Sequence, residues 1–379
     1  MHKGRYYTGK WMDLMSFHSA IITAAMLATL ATGANAAQFS IIATVTGAPR
    51  IGAINGTTLY GTDSTASPPT LFSVTSAGTF TLLHSFNTAT DGSGPNARLA
   101  IDHAGNLFGT ATGGGTYGSG TFWEYSATGV FTALHAFGGP KDGISPFQGP
   151  TMDGKNEIVG TTSMGAPNGN GTIFAMKHES AYKTLYNFQS KADGHCPFSG
   201  VAVSASHVIY GTTVGVGYGG NPNGSVWQFS KAGGLQTLYV FQDENDGEWP
   251  NQAPTVDSAG NVYGTTAIQG GANVAGAIWT VSAAGQFSVL HSMNGATDGS
   301  GPNSPLVLGS DGNLYGTTLQ GGSGDGGTVF SISPTGVFSV VHNFTNSGDG
   351  AVPTGNLVQG TDGSIYGGTS FGTVFKIVP

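Results

Sequence analysis

Aspartates at one recurring sequence position are the residues of this chain best suited to chemistry. Six segments have the pattern Asp-Gly-x-x-Pro, and they begin at Asp91, Asp142, Asp193, Asp246, Asp298 and Asp349. Carboxylates in loops are the usual ligands of Ca²⁺, but these loops lack the dense alternation of aspartates that is typical of calcium loops. An Asp that caps its own turn, a Gly that accepts positive φ and a Pro that starts an extended segment explain the pattern better. The sequence therefore predicts a structural corner and no metal site.

The two variable positions of this pattern distinguish two consecutive corners, those that begin at Asp193 and Asp246. These corners belong to the fourth and fifth of the seven sequence repeats described below, and we call them the fourth and fifth corners. They hold His195 and Cys196 in one repeat and Glu248 and Trp249 in the next, where the other corners have Ser-Gly, Ile-Ser or Ala-Val. An aromatic platform beside convergent polar groups is typical of a ligand site. The predicted ligand-binding side chains are Asp193, His195, Glu244, Asp246, Glu248 and Trp249. The competing interpretation is that Trp249 fills a gap between repeats beside solvated acids.

Acidic side chains at these corners also permit a catalytic hypothesis. Two carboxylates about 5 to 9 Å apart can hydrolyse glycosides when one of them is held protonated. Glu244 and Glu248 are the candidates, with His195 as an alternative acid or base. The sequence has no Ser-His-Asp, HExxH, phosphate-loop, haem or zinc-cysteine signature. We expect a binding protein more than an enzyme, assign no catalytic residue and predict no cofactor.

Four short sequence elements repeat in register along the chain. The Tyr-Gly-Thr element, complete or degenerate, begins at Tyr60, Phe108, Val159, Tyr210, Tyr263, Tyr315 and Tyr366. One position alternates between histidine and tyrosine, at His84, His135, Tyr186, Tyr239, His291 and His342, and we interpret these residues as packing residues. The chain contains 64 glycines and only 8% charged residues, which favours short strands joined by tight turns.

Each repeat contains four stretches of alternating apolar residues separated by turn signals such as Asp311-Gly312. A four-stranded sheet cannot cover both of its faces, so each sheet must pack on the next. The sequence therefore predicts an all-β fold, a β-propeller of seven four-stranded blades, in which the glycine of Tyr-Gly-Thr allows close approach between blades. The N-terminal segment QFSIIATV is similar to the fourth strand VFSVVHNF and is predicted to close the last blade. An open β-solenoid is the alternative.

Residues 1–36 have the features of a signal peptide. Basic residues precede an apolar run from Ala20 to Thr32, and Ala34-Asn35-Ala36 has the form read by signal peptidase. The run is shorter than the roughly 20 residues that cross a bilayer. We predict cleavage near Ala36/Ala37, a secreted or periplasmic protein without a membrane span after cleavage, and a single tandem-repeat domain over residues 37–379.

The repeat resembles the GloVer repeat of secreted bacterial "choice-of-anchor tandem repeat" proteins. The resemblance covers residues 38–379 and is most specific in the segment DGNLYGTTLQGGSGDGGTVF, residues 311–330. It implies export, propeller-like repeats, C-terminal anchors of various kinds and no established activity. This chain ends inside its last repeat without such an anchor, so we expect release into the periplasm or the medium.

These observations predict an exported, monomeric binding or scaffold module. A net charge of −8 disfavours nucleic acid and anionic lipid as partners. The expected partner is a polysaccharide or a surface protein. The alternatives are a carbohydrate-active hydrolase or lyase that uses the acidic loops of repeats four and five, and a self-associating surface structural protein.

Overall fold

The computed structural model describes residues 37–139, 142–177, 182–189, 193–215, 223–242, 245–268, 270 and 275–379. Within these residues the chain forms strands, bridges and turns, and no helix occurs. It follows that the described part of the chain has no apolar helix of membrane-spanning length. The predicted signal peptide lies outside the described residues.

The described residues form 32 strands, most of them five to seven residues long and the rest shorter. In chain order these are β1 (Gln38–Thr44), β2 (Arg50–Asn55), β3 (Thr58–Asp63), β4 (Thr70–Thr75), β5 (Phe80–Ser85), β6 (Ser93–Pro95), β7 (Ala100–Ile101), β8 (Leu107–Gly113), β9 (Thr121–Tyr125), β10 (Phe131–Ala136), β11 (Gly143–Ile144), β12 (Thr151–Met152), β13 (Glu157–Thr162), β14 (Met164–Gly165), β15 (Thr172–Lys177), β16 (Lys183–Asn187), β17 (Ala202–Val203), β18 (Ile209–Thr213), β19 (Ser225–Ser230), β20 (Gly234–Val240), β21 (Thr255–Val256), β22 (Val262–Thr266), β23 (Ala277–Val281), β24 (Phe287–Ser292), β25 (Ser300–Pro302), β26 (Val307–Leu308), β27 (Leu314–Gln320), β28 (Thr328–Ile332), β29 (Phe338–Asn343), β30 (Pro353–Gln359), β31 (Ile365–Thr369) and β32 (Thr373–Val378).

The middle repeats each form one antiparallel sheet. The strand orders are β10-β9-β8-β6 with β7 on β8 in repeat two, β12-β13-β15-β16 in repeat three, β17-β18-β19-β20 in repeat four, β21-β22-β23-β24 in repeat five and β25-β27-β28-β29 with β26 on β27 in repeat six. The small pair β11-β14 accompanies repeat three. The sequential up-and-down order within each sheet is that of a β-propeller blade.

The first and last repeats share an eight-stranded sheet of order β1-β32-β31-β30-β2-β3-β4-β5. β1 pairs antiparallel with β32, as predicted for the N-terminal strand. A single parallel pair, Ile51 with Gly355, joins β2 to β30. Seven separate four-stranded blades are therefore not observed. Within the described residues five sheets of four or five strands stand alone, because the Ile51 pairing merges the strands of repeats one and seven.

Hydrophobic cores lie between successive repeats. One cluster joins Phe86 of repeat one to Trp123 of repeat two, and another joins Phe137 of repeat two to Phe174 of repeat three. All four rings are at most 1% exposed. Each sheet is thus apolar on both faces, and burial against its neighbours supplies the main stabilising term.

The glycine of Tyr-Gly-Thr makes room inside its own sheet. Gly264 lies opposite Trp279 in the β22–β23 ladder, and a Cβ atom on Gly264 would lie 2.2 Å from Trp279 Cζ2. The same relation to the facing aromatic ring holds at Gly61, Gly109, Gly160, Gly211, Gly316 and Gly367. The prediction that this glycine allows close approach between blades is therefore wrong. The aromatic ring that occupies the space belongs to the adjacent strand of the same sheet.

Candidate functional site

The corner aspartates are tied into their own turns. Asp193 Oδ2 accepts hydrogen bonds from Tyr186 Oη at 2.6 Å and from the backbone N–H four residues earlier at 2.7 Å. Asp246 Oδ2 accepts the equivalent bonds from Tyr239 Oη at 2.5 Å and from a backbone N–H at 2.8 Å. Both aspartates are 7% exposed. The turn-capping interpretation of the corner is thereby confirmed.

Histidine takes the place of this tyrosine at the other four corners. Its Nε2 atom lies 2.9 to 3.1 Å from Oδ2 of the corner aspartate. The pairs are His84–Asp91, His135–Asp142, His291–Asp298 and His342–Asp349. Each imidazole also stacks on an aromatic ring of the following repeat, as His84 does on Phe131 with 3.8 Å between centroids. The histidines are packing residues, as predicted.

The residue before each corner proline has a left-handed backbone conformation. The φ angle is +64° at Gly94 and +62° at Gly301, where glycine accepts it without strain. The corresponding angles of 51° to 59° occur at Ser145, Cys196, Trp249 and Val352. Such angles are costly for side chains of this size. The corner holds Trp249 in place because its carbonyl oxygen accepts hydrogen bonds from Ala267 N at 3.2 Å and Asn251 N at 2.8 Å.

The two unusual residues of the corner that begins at Asp193 are buried or partly buried. His195 is 4% exposed, and its Nε2 atom has no hydrogen-bond partner among the described residues. Burial lowers the pKa of His195, and attraction to Asp193 offsets part of this effect, so the imidazole is neutral at pH 7. Burial raises the pKa of the Cys196 thiol. A protonated thiol is a poor nucleophile.

The variable residues of the fifth corner, which begins at Asp246, are more exposed to solvent than His195. Glu248 is half-buried, and its backbone N–H donates to Ile268 O at 2.9 Å. Trp249 is 43% exposed, so it is a surface aromatic and does not fill a gap between repeats. Asp246, Glu248 and Trp249 share this corner, whereas Asp193 and His195 share the preceding one. Glu244 lies outside the described residues, and so the predicted Glu244–Glu248 pair has no structural description.

A different site is formed where the first segments of the repeats meet. These segments, which we call the innermost segments, follow Pro49 in repeat one and the corner proline, such as Pro95, in the later repeats. It is a cavity of about 390 Å³, which is within the range of roughly 300–1,000 Å³ that is typical of small-molecule sites. Its polar lining includes Arg50, Asn96, Gln148, Gln252, Asn303 and Asn356, which come from repeats one, two, three, five, six and seven respectively. A cavity that six repeats of a ring border lies at the axis of that ring. We call it the axial cavity.

Some of the lining amides hold neighbouring repeats together. Asn96 Nδ2 and Asn303 Nδ2 each donate to the carbonyl oxygen of the following corner's proline, at 2.6 and 3.0 Å. Gln148 Nε2 donates to Gln252 Oε1 at 3.2 Å, which links repeat three to repeat five. Other lining groups are unpartnered: Thr354 Oγ1 is buried without a hydrogen-bond partner among the described residues. The lining of the axial cavity therefore combines amides that are held by other residues with a hydroxyl group that has no partner among the described residues.

A family comparison identifies the repeat. The model of the Gloeobacter/Verrucomicrobia repeat matches residues 16–221 and 193–378. The chain belongs to this GloVer-repeat family. No curated protein matches the chain.

Solved β-propellers share the fold of this GloVer-repeat protein at low sequence identity. The extracellular domain of BT4673 from B. thetaiotaomicron, described as a hybrid two-component system, matches with a TM-score of 0.61, 11% identity, and coverage of 89% of this chain and 39% of that chain. The WD40 β-propeller domain of Doa1 matches with a TM-score of 0.57, 14% identity, and coverage of 90% and 97%. The present chain thus spans about two fifths of the BT4673 chain. These similarities show the fold alone.

The axial cavity was not anticipated from the sequence, although a signal is present. The third residue after the proline that leads each innermost segment is small or apolar in most repeats, at Gly52, Gly149, Gly200, Ala253 and Pro305. Repeats two and seven place Arg98 and Asn356 there. The predicted site rests on the two positions before the proline, whereas this signal lies after it. Within the described residues no three His, Cys, Asp or Glu side chains are grouped to hold a metal ion.

Proposed function

We propose that this GloVer-repeat protein is a non-catalytic binding module that takes up part of a polysaccharide in the axial cavity. The observation that carries the proposal is the cavity itself, which six repeats border and polar side chains line. Concave sites with a few placed amide, hydroxyl and charged groups are the usual form of small-ligand sites. Saccharide hydroxyl groups can both donate to and accept from such groups.

Two aromatic residues support a saccharide as the ligand. Phe147 lines the axial cavity and is 49% exposed. Trp249 occupies in its corner the position that Gly94 occupies beside the cavity, and it lies three residues before Gln252, which lines the cavity. We place Glu248 and Trp249 at the approach to the cavity, with Trp249 as a stacking platform.

Catalysis at these corners has less support. The Oδ2 atoms of Asp193 and Asp246 each accept two hydrogen bonds inside their own corners, so these oxygens serve the turn. A glycosidase needs a carboxyl group that is available to donate a proton to the leaving group. We therefore retain the hydrolase or lyase only as the second hypothesis.

We also infer that the eight-stranded sheet consists of two blades, which gives a ring of seven. Its order divides into two sets of four strands, β1-β32-β31-β30 and β2-β3-β4-β5, and a single residue pair joins them. The N-terminal strand would then complete the last blade. The proposal includes a single domain over residues 37–379, a monomer, and export to the periplasm or medium, which the sequence features of residues 1–36 support.

A ligand panel tests the proposal. Purified protein is melted with soluble polysaccharides and oligosaccharides, because a ligand that binds only the native state raises the melting temperature. Ser64→Trp places a large ring in the cavity lining, and Ser206→Trp in an exposed turn is its matched control. We expect a saccharide-dependent rise that Ser64→Trp removes, Ser206→Trp keeps and Trp249→Ala reduces. A rise that survives Ser64→Trp, or turnover of a saccharide, would contradict the proposal.

A further inference from the structure

We propose that the axial cavity selects an acidic saccharide and binds its carboxylate through Arg50. This inference rests on the proposed binding function and adds the charge of the ligand. It assigns to Arg50 a recognition role that the fold does not need, with Arg98 as a second positive charge on a neighbouring segment.

The distribution of arginine is the first observation. The chain has three arginines, Arg5, Arg50 and Arg98, and only the last two lie in the described residues. Both lie on the innermost segments, one residue after Pro49 and three residues after Pro95. The protein has a net charge of −8, and of these two arginines Arg50 is the one that lines the axial cavity.

Arg98 is held without a counter-charge. Its Nη1 atom is buried and has no hydrogen-bond partner among the described residues. That atom lies 3.4 Å from the point where a Cβ atom on Gly200 would be, so the side chain extends from repeat two to repeat four. A larger residue than glycine at position 149 would also meet Arg98, at the backbone carbonyl. Burial alone lowers the pKa of Arg98, to about 10, and the guanidinium remains charged at pH 7.

Arg50 is in a similar state. It lines the axial cavity, and its Nε atom is buried and unpartnered. Burial lowers its pKa, and attraction to Asp63 opposes the shift. The oxygens of Asp63 are occupied by Ala48 N and by the N–H and hydroxyl groups of Thr65. No ion pair within the described residues neutralises Arg50.

The remaining lining of the cavity completes the argument. Arg50 is the only charged residue among the described residues that line it, and no carboxylate does so. Unpaired guanidinium groups in a confined space are costly, because water is removed and no anion replaces it. An entering carboxylate recovers this cost, and the planar guanidinium binds it with two parallel hydrogen bonds. The amide and hydroxyl groups that share the lining suit a sugar more than a bare inorganic anion.

Isothermal titration calorimetry tests the inference on purified protein. The probes are digalacturonate, its neutral dimethyl ester and inorganic sulfate. We expect digalacturonate to bind roughly tenfold or more tightly than the ester, since hydrogen bonds to charged groups contribute about 1.5–3 kcal/mol. Arg50→Gln should remove most of this preference, and Arg98→Gln, which changes a residue outside the lining, should reduce it less. Lys155→Gln, which removes one positive charge at an exposed position outside the cavity, should leave it unchanged.

The outcomes separate this inference from the function on which it rests. Equal affinity for the acid and its ester, abolished by Ser64→Trp, would overturn the charge selection and leave the binding function intact. Absence of binding by both sugars would overturn both. Sulfate binding as tight as that of digalacturonate would refute a saccharide site. Arg50→Lys, which keeps the charge without the two-pronged geometry, is the second variant should Arg50→Gln fold poorly, and it should recover part of the preference.

Discussion

A guanidinium group that is partly kept from water without an anion raises the free energy of the native state. Arg98 is such a group, because its Nη1 atom is buried and has no partner among the described residues. Natural proteins retain costly groups of this kind mainly where binding or catalysis uses them. The corner aspartates differ, because the Oδ2 atoms of Asp193 and Asp246 accept hydrogen bonds from a tyrosine hydroxyl and a backbone N–H of their own turn. At the residue scale, therefore, a charged group without a counter-charge indicates a binding role, whereas an acid that caps its turn indicates a structural one.

Replacing Arg98 should stabilise the protein in the absence of ligand. Arg98→Met keeps the length of the side chain and removes the buried charge, so we expect the free energy of unfolding to rise by about 1 kcal/mol or more. Urea denaturation of the ligand-free protein measures the change, with Lys155→Met as the control for loss of a surface charge. A lower unfolding midpoint for Arg98→Met than for the wild-type protein would show that the arginine serves stability.

Within each sheet, the facing glycine and aromatic ring act as one structural element. Gly264→Ala should destabilise the protein by about 1–3 kcal/mol, because its Cβ atom would overlap the ring of Trp279. Gly348→Ala is a suitable control, since no atom lies within 4 Å of its Cβ position. Thermal melting compares the two variants. A similar small effect for both would mean that the ring moves aside freely.

The corners should make stability depend on pH in two stages. Burial lowers the pKa of His135 and His342 from 6.5, with partial compensation by Asp142 and Asp349. Stability from these histidines is therefore complete above pH 6.5 and falls as the pH drops from 6.5 toward the folded-state values. Burial would raise the pKa of Asp298, but hydrogen bonds outweigh it and the net pKa lies below 3.8. This second contribution is lost as the pH falls through the lowered value.

The chain itself supplies the control for the first stage. Repeats three and four have Tyr186 and Tyr239 at the histidine position, and their hydroxyl groups donate to the corner aspartate. The double variant His135→Tyr and His342→Tyr should therefore lose less stability between pH 7 and pH 5 than the wild-type protein. Urea midpoints at several pH values provide the measurement. An unchanged pH dependence would exclude these two histidines as its source.

The elements themselves were predictable from local sequence. Alternating apolar residues, Asp-Gly turns and the Asp-Gly-x-x-Pro corners specify strands and hairpins over distances of a few residues. The pairing of β1 with β32 was also predictable, because Phe39 and its neighbours repeat the pattern of a fourth strand. The merging of the first and last sheets depends on one residue pair, Ile51 with Gly355, which no local pattern indicates.

The axial cavity depends on the whole ring, which is why sequence reasoning did not locate it. Gln148 and Gln252 are 104 positions apart and meet only after the repeats between them have folded. Arg50 is one of three arginines in the sequence, and only the assembled cavity shows that no carboxylate among the described lining residues faces it. The corners of repeats four and five could be singled out from the sequence, because their unusual residues are adjacent in the chain.

Closure of the ring by packing without a covalent link gives a prediction for the whole molecule. Phe39 in β1 stacks on His342 with 3.6 Å between centroids and contacts Phe344 and Phe375. Phe39→Ala should therefore cost roughly 2 kcal/mol or more. Phe80 is the equivalent residue of repeat one, where it is 44% exposed, so Phe80→Ala should cost less. Equal losses of stability for the two variants would argue against closure through β1.

A crystal structure of the protein with digalacturonate tests the central claim most directly. The account predicts the sugar in the axial cavity, with its carboxylate within hydrogen-bond distance of Arg50 and a hydroxyl group near Asn356. A sugar bound only at the corners of repeats four and five, beside Trp249 and away from the axis, would contradict it.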